Sequence, residues 1–193
     1  MLSLDQLATE WWPTSKAGTE QARRRLSLLI NARLLCTGDV LAAKLPAMEH
    51  PVLAWAPGHA EPDLGAAAWM LQSRWVEEAK TTKVYFATRE ASKLFGGKAN
   101  GKIKHLFQAS HDLGVSAMYL RTRRDRPEIT KNWIGEDVLA PHRYGQKLPD
   151  AVIASSPRET PELVLEFGGS YDKARLIEFH TDCQQRATPY EIW

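Results

Sequence analysis

Residues 16–33 read KAGTEQARRRLSLLINAR, and this stretch decides how the first part of the chain folds. Its apolar residues recur at the 3.6-residue spacing of a single helix face. Thr19 has the side chain of a helix N-cap, so we expect the helix to begin after it. The residues of the apolar face are Ala22, Leu26, Leu29, Ile30 and Leu34.

The same stretch is strongly basic, with Glu20 as its one acidic residue. A surface helix of this kind is often only a solvated face. A helix that also follows a turn and precedes a β-ribbon is typical of DNA-binding proteins, since guanidinium groups pair with phosphates and guanine edges. We therefore predict contact with double-stranded DNA, and the candidate DNA-binding residues are Lys16, Arg23, Arg24, Arg25 and Arg33.

The flanking segments predict a winged helix-turn-helix over residues 1–60. Ser3 and Gln6 have the spacing of a capping box for a first helix, and Pro13 and Gly18 mark the turn after it. LLCTGDVLA (34–42), with a turn at Thr-Gly-Asp, and PVLAWAP (51–57) are expected to be the strands of the wing. A connecting helix is expected over residues 61–80, with Trp69 in the core.

The rest of the chain, residues 81–193, predicts a second α/β domain. After a short strand, KVYFAT, the order of elements is αβββαβ: a helix over 103–120, strands around 132–139, 148–154 and 161–167, a helix over 170–187 and a last strand at 189–193. Apolar strands covered by helices indicate a mixed central sheet. The overall class is therefore α/β (α+β).

An acidic residue lies on each of the three consecutive strands. Glu136 is on the first, Asp150 opens the second, and Glu166 ends the third. Carboxylates that converge at strand ends form the hard-oxygen pocket that Mg²⁺ prefers. These three residues are the candidate metal ligands.

This layout resembles the PD-(D/E)XK nuclease fold, with Pro149-Asp150 on the second strand and Glu166 on the third. The resemblance implies a catalytic lysine two residues after the acid, but Gly168 occupies that position. Lys173 is the nearest replacement, or Lys147 before the Pro-Asp pair. The resemblance thus implies Asp150, Glu166 and Lys173 as catalytic residues if the domain cuts, and the missing lysine favours a domain that does not.

Taken whole, the chain resembles the replication-relaxation family of plasmid and integrative-element proteins. The matching positions are His105 or His111, Trp133, Glu136, Pro149, Asp150 and Glu166. The resemblance implies DNA binding in plasmid or mobile-element replication or conjugal transfer, beside a relaxase or a replication protein.

Composition excludes several other classes of protein. The 193 residues carry 25 Lys and Arg against 23 Asp and Glu, a net charge of +2, which excludes a histone-like protein. No apolar run approaches the roughly 20 residues of a membrane span. Two cysteines, Cys36 and Cys183, cannot form a disulfide framework, so a reducing cytoplasm is expected. Winged helices commonly pair, which makes a homodimer possible.

Three functions remain open from the sequence. The first is a non-catalytic DNA-binding protein with a nuclease-like domain. The second is a Mg²⁺-dependent DNA endonuclease. The third is a scaffold whose last strand, PYEIW (189–193), lies at a sheet edge and pairs with another chain.

Overall fold

The structure, a computed structural model, describes residues 1–97, 108–143 and 147–193. The chain divides into two compact units. Unit 1 comprises Met1–Leu45 and Glu77–Ala117, and unit 2 comprises Pro46–Val76 and Met118–Trp193. The boundaries expected near residues 60 and 80 do not coincide with this division, because the chain enters unit 2 at Pro46 and returns to unit 1 at Glu77.

The described residues form both helices and strands, which are interspersed along the chain as in a mixed α/β protein. In chain order they are β1 (Leu2–Ser3), α1 (Leu4–Trp11), α2 (Lys16–Asn31), β2 (Leu35–Ala42), β3 (Leu53–Trp55), α3 (Leu64–Ser73), β4 (Lys80–Ala87), α4 (Arg89–Leu94), α5 (Ala109–Asp125), α6 (Pro127–Thr130), β5 (Trp133–Gly135), α7 (Glu136–Leu139), a 3₁₀ turn at Ala140–His142, β6 (Ala151–Ile153), β7 (Leu163–Glu166), α8 (Lys173–Gln185) and β8 (Tyr190–Ile192).

Two helices joined by a four-residue turn begin unit 1. The capping box predicted for α1 is confirmed: Gln6 N–H donates to Ser3 Oγ at 3.1 Å, and Ser3 N–H donates to Gln6 Oε1 at 2.9 Å. The Thr19 cap predicted for α2 is wrong, since Ser15 Oγ accepts from Gly18 N–H at 3.0 Å. Gly18 permits this early start, because a Cβ there would lie 2.0 Å from Pro13 O.

The sheet of unit 1 has three antiparallel strands in the order β1-β4-β2. Successive residues of β4 point to opposite faces. Tyr85 packs with Leu4, Ala8, Ala22 and Leu26 of α1 and α2. On the other face, Val84 packs with Val40, Ala42 and the first turns of α5 through Ala109 and Leu113.

The predicted pairing of the wing is wrong. β2 runs without a turn through Thr37-Gly38-Asp39, and all eight of its residues pair with Lys80–Ala87. Leu53–Trp55 instead joins the sheet of unit 2. The eight-residue strand KTTKVYFA gives β2 a full-length partner, which the three residues of β3 cannot provide.

The order predicted for the second half matches the main elements α5, β5, β6, β7, α8 and β8, but the short helices α6 and α7 are also present; the sheet is mixed. The strand order is β3-β8-β7-β6-β5, with β7 and β8 parallel and the other neighbours antiparallel. α3 and α8 cover one face through Ala67, Leu71, Leu176 and Phe179. On the other face, Arg126 donates both terminal nitrogens to Glu191 of β8 at 2.7 Å.

Three details of unit 2 correct the sequence analysis. β8 lies between β3 and β7, so the last strand is not at a sheet edge. β5 ends at Gly135, and Glu136 begins the short helix α7 instead of continuing the strand. Trp69 is 70% exposed and is not a core residue, whereas Cys183 is buried as expected. In the part of the chain that the structure describes, no helix has the length and apolarity needed to cross a membrane.

Candidate nucleic-acid interface and acidic strand ends

Helix α2 presents one buried side and one cationic side. Gly18, Ala22 and Leu26 are its buried residues. At about 100° per residue, Arg23 and Arg24 lie about 100° and 200° around the helix from Ala22. Both arginines and Lys16 are exposed, and Lys16 is the first residue of the helix. The structure therefore exposes three of the five predicted DNA-binding residues, with Arg24 nearly opposite Ala22 and with Lys16 and Arg23 about 120° and 100° from it.

Arg25 and Arg33 occupy different positions. Arg25 is exposed and lies about 60° from Ala22 and 100° from Leu26, on the flank of the buried side away from Arg23. Arg33 follows α2 with a φ of 58°, and its carbonyl accepts from Thr88 Oγ1 at 2.8 Å. Its side chain is exposed at the turn into β2. These two residues do not share the cationic side of α2.

The positive charge on α2 is mostly uncompensated, in contrast to the lysines of the β2-β4 ribbon. Lys83 lies 2.9 Å from Asp39, and Lys44 and Lys80 lie 2.6 and 3.3 Å from Glu77. The hydrogen bond and charge of Glu77 raise the pKa of Lys44. On α2, Arg23 Nε lies 3.6 Å from Glu20 Oε1 and both side chains are more than half exposed, so that pair is weak.

The lysine-rich segment at the end of α4 and after it is only partly described by the structure. Lys93 is exposed in the last turn of α4. Lys98, Lys102, Lys104 and His105 lie outside the described residues. The alternative matching histidine, His111, is on α5, 3.9 Å from Asp112.

Two of the three predicted acidic ligands meet at the ends of adjacent strands. Asp150 N–H donates to Glu166 Oε2 at 3.1 Å, and Phe167 N–H donates to Asp150 Oδ2 at 2.7 Å. Glu166 Oε1 accepts from the Tyr171 hydroxyl at 2.6 Å. Both acids are buried, with 9% and 4% of their surface exposed. The antiparallel register of β6 and β7 places them side by side.

The third predicted ligand does not complete a metal site. The Glu136 N–H donates to Asp150 O at 2.9 Å, but the Glu136 side chain is exposed. Within residues 1–97, 108–143 and 147–193, no three acidic, histidine or cysteine side chains are arranged to hold a metal ion. The oxygens of Asp150 and Glu166 accept hydrogen bonds from backbone amides and a hydroxyl. The residues present therefore do not fit the Mg²⁺ site that the nuclease resemblance implies.

None of the three positions considered for the nuclease lysine provides a lysine with a contact to this pair among the described residues. Gly168 is buried, and a Cβ there would lie 2.6 Å from Ile192 Cγ2 and 3.0 Å from Leu71. Packing against α3 and β8 thus excludes a lysine at residue 168. Lys173 is exposed at the first position of α8, after the cap Asp172. Lys147 lies 3.3 Å from Glu178 Oε2.

Sequence reasoning missed the aromatic partner of Glu166. Tyr171 is part-buried, and burial together with the charge of Glu166 raises its pKa above the ordinary value. Arg175 lies over the Tyr171 ring at 5.1 Å. The spacing Glu-x₄-Tyr-x₃-Arg across the start of α8 was the available signal, but only a known turn at 168–172 brings the tyrosine back to the strand end.

Comparison with known proteins leaves both resemblances as predictions. No protein-family model matches the chain, and no curated protein or solved structure is similar to it. The assignment of function therefore depends on the geometry of the two units.

Proposed function

We propose that unit 1 binds double-stranded DNA, with α2 as the recognition helix. The observation that carries this proposal is the exposed, mostly unpaired group Lys16, Arg23 and Arg24, which lies about 100–200° around α2 from the buried Ala22. A recognition helix enters the major groove with its N-terminal residues, and here Lys16 is the first residue of the helix.

The arrangement of unit 1 supports a winged helix-turn-helix. A short strand, two helices with a four-residue turn, and a two-stranded ribbon follow in order, and β4 pairs with both β1 and β2. The ribbon carries ion-paired lysines, so α2 is the part of unit 1 with the highest free positive charge among the described residues.

Unit 2 is proposed to be a nuclease-like α/β domain that does not cut DNA. The αβββαβ order of its main elements with a mixed sheet supports the likeness, and the hydrogen-bonded acids and the filled space at Gly168 argue against catalysis. With the family resemblance, this supports a cytoplasmic protein of a plasmid or mobile element that acts in replication or conjugal transfer. A relaxase or replication protein would be its partner, and a homodimer would suit paired half-sites.

The direct test is fluorescence anisotropy of the full chain with a labelled 30-base-pair duplex of random sequence at 50 and 200 mM salt. Binding should be tighter at low salt, because phosphate neutralisation releases counterions. Absence of binding at 50 mM salt would overturn the proposal. A matched single strand shows whether the duplex is preferred.

A Mg²⁺-dependent endonuclease is the second candidate function. The contact between Asp150 and Glu166 at the ends of β6 and β7 favours it, since two acids at this place resemble the nuclease layout. Incubation with supercoiled plasmid and Mg²⁺ or Mn²⁺ tests it. Nicking that Asp150→Asn abolishes would establish the enzyme, and intact plasmid at micromolar protein would reject it.

A further inference from the structure

Unit 2 contains an open cavity with a cationic lining, apart from the acidic strand ends. Its volume is about 380 Å³, and its lining includes His142, Arg143, Arg158, Glu159, Arg186 and Thr188. A smaller cavity of about 30 Å³ shares Arg143, Arg186 and Thr188 with it and is also lined by Lys147. The larger volume lies within the range of small-ligand pockets.

Arg143 is the unusual residue of this lining. Only 8% of its surface is exposed. Its guanidinium donates to two backbone carbonyls, Pro157 O at 3.5 Å and Glu159 O at 3.3 Å, which are longer than ordinary hydrogen bonds. No carboxylate of the described residues forms an ion pair with it. A buried guanidinium in this state retains N–H groups that can donate to an anion.

A second cation, Arg186, lies near Arg143, and its own charge is paired with Asp182. Burial and the positive charge of Arg186 both lower the pKa of Arg143. Arg186 itself lies 2.5 Å from Asp182 Oδ1. Because two like charges next to each other destabilise a fold, the cavity gains stability from any anion that enters it.

The remaining charges leave the lining positive. Arg158 is exposed beside the cavity, and the Glu159 carboxylate accepts a hydrogen bond from Ser155 Oγ. Lys147 Nζ is buried and lies 3.3 Å from Glu178 Oε2, but without the geometry of a hydrogen bond. The larger cavity is therefore lined by three arginines and one glutamate, and one of the arginines, Arg186, is also paired with Asp182.

We propose that this cavity binds a phosphate group, presented by a nucleotide or by a nucleic-acid strand, with Arg143 as the central donor and Arg158 and Arg186 at the rim. Phosphate, like a carboxylate, has oxygens that match the planar fork of a guanidinium. The site does not involve α2, so it goes beyond the DNA-binding function proposed for unit 1 and can fail or hold independently of it.

Isothermal titration of the full chain with pyrophosphate tests the site without DNA. Wild type should bind one pyrophosphate per chain, and Arg158→Ala/Arg186→Ala should bind at least tenfold more weakly. Lys131→Ala/Arg124→Ala removes the same charge from exposed positions of unit 2 outside the cavity, and it should bind within twofold of wild type. Equal affinity of wild type and the Arg158/Arg186 variant would overturn the proposal.

Arg143 needs a separate variant, because removal of a buried guanidinium can unfold the domain. Arg143→Lys keeps the charge and loses the fork, so a folded Arg143→Lys chain should bind at least fivefold more weakly. If it is not folded by circular dichroism, the rim variant decides the question alone.

Titration with AMP and with the dinucleotide TpT identifies the source of the phosphate. Saturable binding of AMP but not TpT indicates a nucleotide, and binding of TpT indicates a strand. Failure of wild type to saturate with pyrophosphate, AMP or TpT would overturn the proposal, even if duplex DNA still binds to α2.

Discussion

Asp150 and Glu166 hold the ends of β6 and β7 together with a reciprocal pair of hydrogen bonds. The backbone of Asp150 donates to the side chain of Glu166, and the side chain of Asp150 accepts from the backbone of Phe167, the next residue after Glu166. Each carboxylate thus satisfies a backbone N–H of the opposite strand end, where the ladder has stopped. These acids stabilise the sheet whether or not they have a chemical role.

Replacement of Asp150 should therefore lower stability. Asp150→Ala leaves the Phe167 N–H buried without its acceptor, which costs about 1–3 kcal/mol. Asp150→Asn keeps an acceptor oxygen and should cost less. Urea denaturation at pH 7 measures both changes. If the Asp150→Ala chain is as stable as wild type, the hydrogen bond to Phe167 is offset by an unfavourable cost of holding the Asp150 carboxylate at this position. Such a cost is typical of an acid kept for function.

Insertion of the missing nuclease lysine should damage the fold instead of creating activity. Gly168→Lys places a side chain where Ile192 Cγ2 and Leu71 already lie within 3.0 Å of the Cβ position. Overpacking of this kind costs about 1–3 kcal/mol, and Gly168→Ala should show most of the cost. The midpoint of thermal unfolding is the measurement. Gly169→Ala is the control. Gly169 has open space around it but a φ of 52°, so any cost of this substitution comes from backbone strain and not from overpacking.

Loss of the Tyr171 hydroxyl should lower the free energy of unfolding at neutral pH. It should also make that free energy fall less steeply as the pH rises above about 10. Tyr171→Phe removes the donor to Glu166 Oε1. The pKa of Tyr171 is raised in the fold from 10.0, so the folded chain keeps a proton that the unfolded chain loses above about pH 10. Stability from Tyr171 is complete below pH 10 and is lost as pH rises through its folded pKa.

Denaturation at pH 8 and pH 10.5 gives the comparison. The wild type should lose more unfolding free energy between these values than Tyr171→Phe. Tyr119→Phe is the matched control, because Tyr119 is more exposed and lies beside Trp133. Identical pH dependence of wild type and Tyr171→Phe would contradict the assignment.

Local patterns predicted much of the fold, and long-range pairings were what they missed. The Ser3 capping box and the αβββαβ order depend on neighbouring residues and on periodicity; the capping box is confirmed, and the order matches the main elements. The partner of β2 lies 38 or more residues away in sequence. Nothing local distinguishes Leu53–Trp55 from Lys80–Ala87 as that partner.

The features of the candidate sites also divide into those that local sequence predicts and those that depend on long-range pairing. The cationic side of α2 follows from helical geometry, so Arg23 and Arg24 could be placed on it from the sequence. The contact of Asp150 with Glu166 required the register of two strands, and the exposure of Glu136 required the end of β5 at Gly135. Arg143 has no distinguishing pattern in sequence, because its burial is produced by segments that follow it in the chain.

The proposed DNA interface makes a specific prediction about Arg23 and Arg24. Arg23→Ala/Arg24→Ala should bind duplex DNA at least tenfold more weakly, and the slope of log affinity against log salt should be shallower by about one for each phosphate that is no longer neutralised. The melting temperature should stay within error, because exposed charges contribute little to stability. Anisotropy titrations at several salt concentrations, with a thermal melt of each variant, measure both.

Arg25 provides the matched control on the same helix. Arg25→Ala removes an equal charge one position away from Arg24, but from the flank of the buried stripe, about 100° around the helix. Its affinity should fall by less than threefold, and Arg24→Ala alone should lose more. If Arg25→Ala and Arg24→Ala weaken binding equally, α2 contributes only its total charge to a diffuse electrostatic attraction. If the Arg23/Arg24 variant binds as wild type does, DNA contacts another surface of the chain, and α2 is not the recognition helix.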